Sequence, residues 1–188
     1  VGASVTNALS EWLKVEVYRG TVYKMSFHSY FDEEADKMMS GVPEGHLADT
    51  GVKTDKTGTF VHFKPDATVF DTVVFNFEAV SKRLKELAFL NKGLEINLID
   101  ERVEEDRKPI TVNYKFDGGL HDFCMYLNEG KTPLYPDPIG YKTEKEGLLI
   151  EFAIQHTGEF PESLFSFVNN IPTPEGGFHE TGFRTGLT

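Results

Sequence analysis

Basic residues are scarce in this 188-residue chain. Lys and Arg number 19 against 30 Asp and Glu, a net charge of −11. Non-specific DNA binding rests on cationic side chains displacing phosphate counterions, so any contact with DNA is expected mostly on other domains or subunits. Cysteine is scarcer still. A single Cys124 excludes an internal disulfide and fits a reducing, cytoplasmic setting. Set among apolar neighbours in HDFCMYL, it reads as a buried core thiol and not a nucleophile. No run approaches the roughly 20 apolar residues of a membrane span, and residues 1–12 lack the basic and apolar regions of a secretory signal. Neither membrane insertion nor export is therefore expected. The six histidines, His28, His46, His62, His121, His156 and His179, fall at no metal-ligand spacing, whereas metal sites need three or four converging ligands. No metal ligand is assigned. Internal repeats and low-complexity tracts are also absent.

What is present is apolar material: 39% hydrophobic residues, 16 of them Phe, enough for a packed core. Val5, Ala8, Leu9 and Trp12 share one helical face, predicting a short helix at the start. Leu13, Val15 and Val17 alternate with polar residues as a strand, Gly20 marks a turn, and residues 22–25 form the returning partner. Residues 27–40 are acidic and irregular, and 41–58 are dense in Gly, Thr, Asp and Lys; both are expected to be loops. Strand character returns at 59–63 and ends at Pro65-Asp66.

The pattern NFEAVSKRLKELAFLN predicts a helix over 76–91, with Phe77, Val80, Leu84, Leu87 and Ala88 on one face, Asn76 as N-cap and Gly93 as a stop. Residues 94–98 alternate as a strand, 100–108 form a charged hairpin loop, and 110–116 return. Gly118-Gly119 is the best candidate boundary, dividing the chain into 1–118 and 119–188. Beyond it come a helix at 120–128, a Pro-rich loop at 132–139, strands at 148–154 and 165–171, and a helix start after the Gly176-Gly177 pair. The mix is α+β, with mostly antiparallel strands and helices on one side.

Three stretches invite a chemical reading. His179-Glu180 could be an acid/base pair, but adjacent helical residues point about 100° apart, and a Glu in a first helical turn is favoured by the dipole alone. No catalytic residue is assigned. The run KTGT at 56–59 brings a glycine and hydroxyls beside a strand, where backbone or Thr59 could approach a ligand, or where the chain simply turns. Val1-Gly2-Ala3-Ser4 opens a helix whose free N–H groups could cradle phosphate.

Together, VGASVTNALS, KTGTFVHFKPD, KRLKELAFLNKG, YKFDGG and SFVNNIPTPEGGFHETGFRTGLT resemble, in family order and over nearly the whole chain, the ATPase subunit of bacterial type IIA topoisomerases. That family includes the B subunit of DNA gyrase and its topoisomerase IV counterpart. The resemblance implies that 1–118 is the latter part of a GHKL (Bergerat) ATP-binding α/β sandwich and 119–188 the start of an α+β transducer domain. It places Val1 and Gly2 against ATP phosphates, Ala3 at a small or apolar pocket position, Thr59 near the adenine and Val61 on the pocket wall. Arg19 falls on the pocket-mouth arginine associated with coumarin-type inhibitors.

For the whole protein the resemblance implies ATP and Mg²⁺ as cofactors. It implies two protein partners, a second copy of the same subunit and the DNA gyrase A protein, with DNA engaged through other regions. ATP binding and dimerisation would drive strand passage and negative supercoiling. A topoisomerase IV subunit, or a non-catalytic GHKL-type binding module, is the alternative. The family's catalytic glutamate, adenine-binding aspartate and Mg²⁺-holding asparagine would precede Val1, and its transducer lysine would follow Thr188, so these residues alone are expected to hydrolyse no ATP. Three departures stand out. Phe178 replaces the threonine of the family's GGTHE, Ala3 replaces a valine of some members, and residues 27–40 are longer and more acidic than the family pattern.

Overall fold

The computed structural model describes residues 2–102, 108–160 and 162–188, arranged as two compact units, Val1–Phe75 and Asn76–Thr188. In the first, α1 (Gly2–Ala8) leads into β1 (Ser10–Asp32), β2 (Lys37–Pro43) and β3 (Ala48–Pro65), which form an antiparallel sheet in the order β2-β1-β3. The opening helix is shorter than its apolar spacing predicts. Ser10 already pairs with Pro65, so Trp12 lies in the strand, its ring edge-on to His62.

Gly20 does not turn the chain. β1 runs straight through it, and Gly20 takes φ 69° at a register shift between Arg19 and Gly20. A bulge absorbs an extra residue without ending the ladder, which is how a turn-forming residue comes to lie inside a 23-residue strand. The acidic stretch 27–40 is likewise a hairpin and not a loop: Tyr30 pairs with Met39, Phe31 with Met38 and Asp32 with Lys37. Its acidic residues gather at the tip, where Asp32 Oδ1 accepts hydrogen bonds from the N–H of Glu34 (3.0 Å) and Ala35 (3.1 Å). Residues 48–58 also belong to β3, because β1 is long enough to pair with Ala48, Asp49, Lys53, Thr54, Thr57 and Gly58, and their threonines suit a pleated surface. Beyond β3, Asp66 is buried, and its Oδ1 accepts from both the N–H (2.8 Å) and the hydroxyl (2.7 Å) of Thr68.

The second unit contains α2 (Phe77–Leu90), β4 (Ile96–Asp100), β5 (Ile110–Tyr114), α3 (Leu120–Leu127), β6 (Ile139–Lys145), β7 (Leu148–Ile154), β8 (Phe167–Val168), β9 (Ile171–Pro172) and α4 (Phe178–Leu187). α2 starts as the sequence predicts: the Asn76 side chain accepts the N–H of Ala79 at 2.8 Å. Of the anticipated stripe only Ala88 is fully buried, and its neighbour Phe89, outside that stripe, completes the buried centre. Phe89 is 2% exposed, and its ring stacks on Phe116 (centroids 3.6 Å apart), Phe123 (5.0 Å) and Tyr126 (5.5 Å). Phe165 and Phe167 also approach Phe123, with centroids 6.0 Å and 6.1 Å away.

The strands pair as three antiparallel hairpins, β4–β5, β6–β7 and β8–β9. Part of the charged β4–β5 loop, 103–107, lies outside the described residues. β6 replaces the end of the expected Pro-rich loop, since Ile139 pairs with Ile154. The rest of that loop is pinned by Glu159, whose Oε1 accepts from Thr132 N–H (3.0 Å), and by Gln155, which donates to the Tyr135 carbonyl (2.9 Å). The strand expected over 165–171 is two short ones joined by Asn169 and Asn170, at φ 49° and 65°. That two-residue left-handed turn matches the twist of a hairpin. Among the described residues no helix is long and apolar enough to cross a membrane.

Candidate functional site

Of the residues singled out by the sequence, Val1 lies outside the described residues. Gly2 and Ala3 stand exposed in the first turn of α1. The first N–H groups of any helix lack intrahelical acceptors, and a Cβ added at Gly2 would meet nothing within 4 Å, so this backbone is open to approach. The far end of α1 is held firmly: Ser10 Oγ donates to Thr6 O (2.6 Å), Asn7 Nδ2 to Gly41 O (3.1 Å) and Asp66 N–H to Leu9 O (3.1 Å).

Thr59, Val61 and Arg19 are brought together by one uninterrupted ladder. Val15 pairs with Val61, Val17 with Thr59 and Arg19 with Thr57. Residues two apart on a strand, and residues directly opposite across a pair, share a face. Arg19, Val17 and Val15 therefore line one face with Thr57, Thr59 and Val61. KTGT is thus strand interior, not a junction. Thr59 is exposed, Val61 is 50% exposed, and Arg19 has no ion-pair partner among the described residues. The next residue along this face, Phe63, enters a cavity of about 300 Å³ walled by Val5, Leu9, Phe70, Val73 and Phe75. The face therefore offers two threonine hydroxyls and a guanidinium beside apolar walls. It carries no carboxylate.

The opposite face of β1 holds Glu16 and Tyr18. Glu16 accepts from Lys24 (2.6 Å) and from the Tyr18 hydroxyl (2.6 Å), which together hold its carboxyl below the usual range, Lys24 contributing most. The Tyr18 phenol is pushed up by the same Glu16. This set satisfies itself internally.

The second unit brings His179 and Glu180 into one polar network without joining them to each other. His179 Nε2 meets Thr173 Oγ1 at 3.1 Å, Thr173 Oγ1 meets Ser166 Oγ at 2.7 Å, and Ser166 Oγ donates to Glu180 Oε2 at 3.3 Å. Glu180 also accepts from Arg184 Nε at 3.1 Å. The partners are hydroxyls from the β8–β9 hairpin, so the network fastens α4 to that hairpin. Phe178, 98% exposed, begins α4, and nothing in the structure explains a phenylalanine there. Cys124 is half-buried, more open than the core position its neighbours suggest, and burial still pushes its thiol up. Among the described residues no three His, Cys, Asp or Glu side chains group to hold a metal ion. The Thr173–Ser166 link carries no signal in the sequence, because both are ordinary strand-end residues, seven positions apart.

Residues 119–188 match the family model described as DNA gyrase B. Over its whole length the chain is 44% identical to the DNA gyrase B protein of Myxococcus xanthus, of which it covers 21%. It is also 44% identical, again over its whole length, to the B protein of DNA topoisomerase 4 from Staphylococcus epidermidis, of which it covers 26%. Among solved structures it is similar to the 43K ATPase domain of Thermus thermophilus gyrase B in complex with an aminocoumarin. There the TM-score is 0.78 and the identity 32%, with 98% of this chain and 46% of that one covered. The chain thus spans about a quarter or less of these curated relatives and about half of that solved domain.

Proposed function

The chain belongs to the gyrase B family of bacterial type IIA topoisomerases, and on that premise we propose that it is part of the ATP-binding subunit of a DNA gyrase. Within the whole protein it serves to couple ATP binding and dimerisation to strand passage and negative supercoiling. The DNA gyrase A protein is the partner, the setting is cytoplasmic, and DNA is engaged through other regions. The observation that carries the nucleotide reading is the shared face of Arg19, Thr59 and Val61, which runs into an apolar cavity. Val61 offers a base its apolar wall, Thr59 a hydroxyl for the polar edge of an adenine, and the open backbone at Gly2 a place for phosphate. Val1 and Ala3 complete the set, Ala3 leaving more room than a valine would. Arg19, at the outer end of the face, is the residue for a coumarin-type inhibitor; the similar Thermus domain was solved with an aminocoumarin.

These residues fit ATP in part and Mg²⁺ not at all, since the face carries no carboxylate. When bound in the intact protein, Mg²⁺ would offset phosphate charge; no side chain described above is assigned to hold it. Nor is any assigned as a general base, so the 188 residues alone are read as hydrolysing no ATP. ATP turnover by that polypeptide would overturn this. The domain division is read at Gly118-Gly119, with ATP-binding residues before it and transducer after. The DNA gyrase B match beginning at residue 119 supports that division.

Topoisomerase IV is the second reading, favoured by the equal 44% identity to a topoisomerase 4 relative. The intact enzyme decides: ATP-dependent negative supercoiling of relaxed plasmid fits gyrase, and decatenation without supercoiling refutes it. For the site, Thr59→Ala should weaken binding of a non-hydrolysable ATP analogue roughly tenfold, the value of a hydrogen bond of about 1.4 kcal/mol. Arg19→Ala should weaken the aminocoumarin more than the nucleotide. Unchanged affinities in both variants would remove this face from the nucleotide site.

A further inference from the structure

α2 and the Asn169-Asn170 turn lie in the same compact unit, and two side chains of α2 hold that turn from both sides. Arg83 donates Nη2 to the Asn170 carbonyl at 2.7 Å, while its Nη1 is anchored on Glu86 Oε2 at 3.2 Å. Asn91, the C-cap of α2, donates Nδ2 to the Leu87 carbonyl at 2.8 Å and accepts from Asn170 Nδ2 at 3.0 Å. One residue, in the left-handed conformation at φ 65°, thus has its carbonyl and its side-chain amide both held by one helix. Each side chain doing the holding is itself fixed by α2. That removes most of the rotamer freedom that would otherwise make such contacts slack.

The turn is joined through the short strand β9 to a polar network. β9 leaves it for Thr173, which meets Ser166 and His179, and Ser166 donates to Glu180 on α4. Apolar stacking of Phe89 on Phe123 also joins α2 to α3, but ring contacts are weakly directional, whereas the two hydrogen bonds to Asn170, backed by those of Arg83 to Glu86 and Asn91 to Leu87, fix the position of the turn along α2. Resting on the reading above, in which α2 belongs to the ATP-binding part and the turn to the transducer, we infer that Arg83 and Asn91 are positioning residues. They pass displacement of α2 to α4 through Asn170, bypassing the covalent connection at Gly118-Gly119. The coupling of nucleotide state to strand passage then depends on a contact 87 residues from Arg83 along the chain.

The test uses the full-length protein assembled into its active enzyme. Asn170→Gly keeps the left-handed turn, which glycine accepts freely, and removes only the amide. Arg83→Met keeps the aliphatic stem and removes the guanidinium. The expected result for each is ATP turnover within about twofold of the parent, with strand-passage events per ATP hydrolysed reduced at least fivefold. The double variant should lose little more than either single, since both act on one link. The midpoint of thermal unfolding should stay close to the parent's. Turnover and strand passage falling in proportion, or neither changing, would overturn the clamp. A parent enzyme without any ATP-dependent strand passage would overturn the topoisomerase reading itself and this inference with it, so the two failures are told apart by the parent control.

Discussion

Replacing Phe89 by alanine should unfold the second unit more readily than any other single truncation in α2. Its side chain is 2% exposed and stacks on three rings, the nearest with centroids only 3.6 Å away. A buried Phe→Ala change costs about 3–5 kcal/mol in lost transfer energy and residual cavity. Aromatic pairs add about 0.5–1.5 kcal/mol each beyond area. Ala88 beside it is fully buried, and the neighbouring rings are locked against one another, so the gap cannot close cheaply. The cost should lie near the top of the range, at about 4–5 kcal/mol. That is a large share of the 5–15 kcal/mol by which domains are stable. At about 4 °C per kcal/mol for a unit of this size, the unfolding midpoint should fall by roughly 15–20 °C. Calorimetry of the intact protein, following the transition that contains residues 76–188, measures it. Phe89→Leu, which keeps most of the apolar volume, should cost less than half as much. A midpoint lowered by less than about 4 °C in Phe89→Ala, equivalent to about 1 kcal/mol, would refute the packing argument. So would equal losses in the two variants.

Three further outcomes follow from local geometry. Asn76→Ala removes the acceptor for Ala79 N–H and should cost about 1 kcal/mol, seen as faster amide exchange in the first turn of α2; Asn76→Asp should restore protection. Asp66 has its carboxyl held below the usual range, chiefly by the Thr68 N–H and then its hydroxyl. A depressed carboxylate contributes stability that is present above its unfolded pKa and lost as pH falls through the folded one. Acid titration below about pH 4 should therefore destabilise the parent more than Asp66→Asn, and parallel curves would contradict this. Cys124, pushed up by burial and only partly offset by Lys131, should react with iodoacetamide at neutral pH more slowly than a free thiol and accelerate in alkali; reaction at the free-thiol rate would show the site to be open.

Where an element's identity is written in local spacing, the sequence could be read. α2 follows from its cap and its 3.6-residue period, and β7 from the large apolar residues Leu148, Ile150, Phe152 and Ile154 at every second position. The long strands could not be read in this way, because what makes residues 27–31 and 48–58 strands is a partner elsewhere in the chain. Acid, glycine and threonine content speak locally for loops, and pairing overrides them. Gly20 misleads for the same reason: a bulge and a turn use the same residue, and only the register distinguishes them. Thr59, Val61 and Arg19 could be named from family resemblance, but their common face is a property of the β1–β3 register. The role of Asn91 is masked by a second one, since its C-cap position already explains it.

Three of the four irregularities in the β1 ladder, those at 19/20, 21/23 and 28/30, have an evolutionary consequence. From Trp12 to Arg19 the pairing with β3 runs in one unbroken register. Beyond Gly20 each irregularity resets the phase, so a residue gained or lost toward the hairpin tip is absorbed before it reaches the rungs at Thr57, Thr59 and Val61. The outer arm can therefore drift in length and charge between relatives while the inner ladder is held to a fixed count. Selection is expected to act on the two ends of this single strand at very different rates.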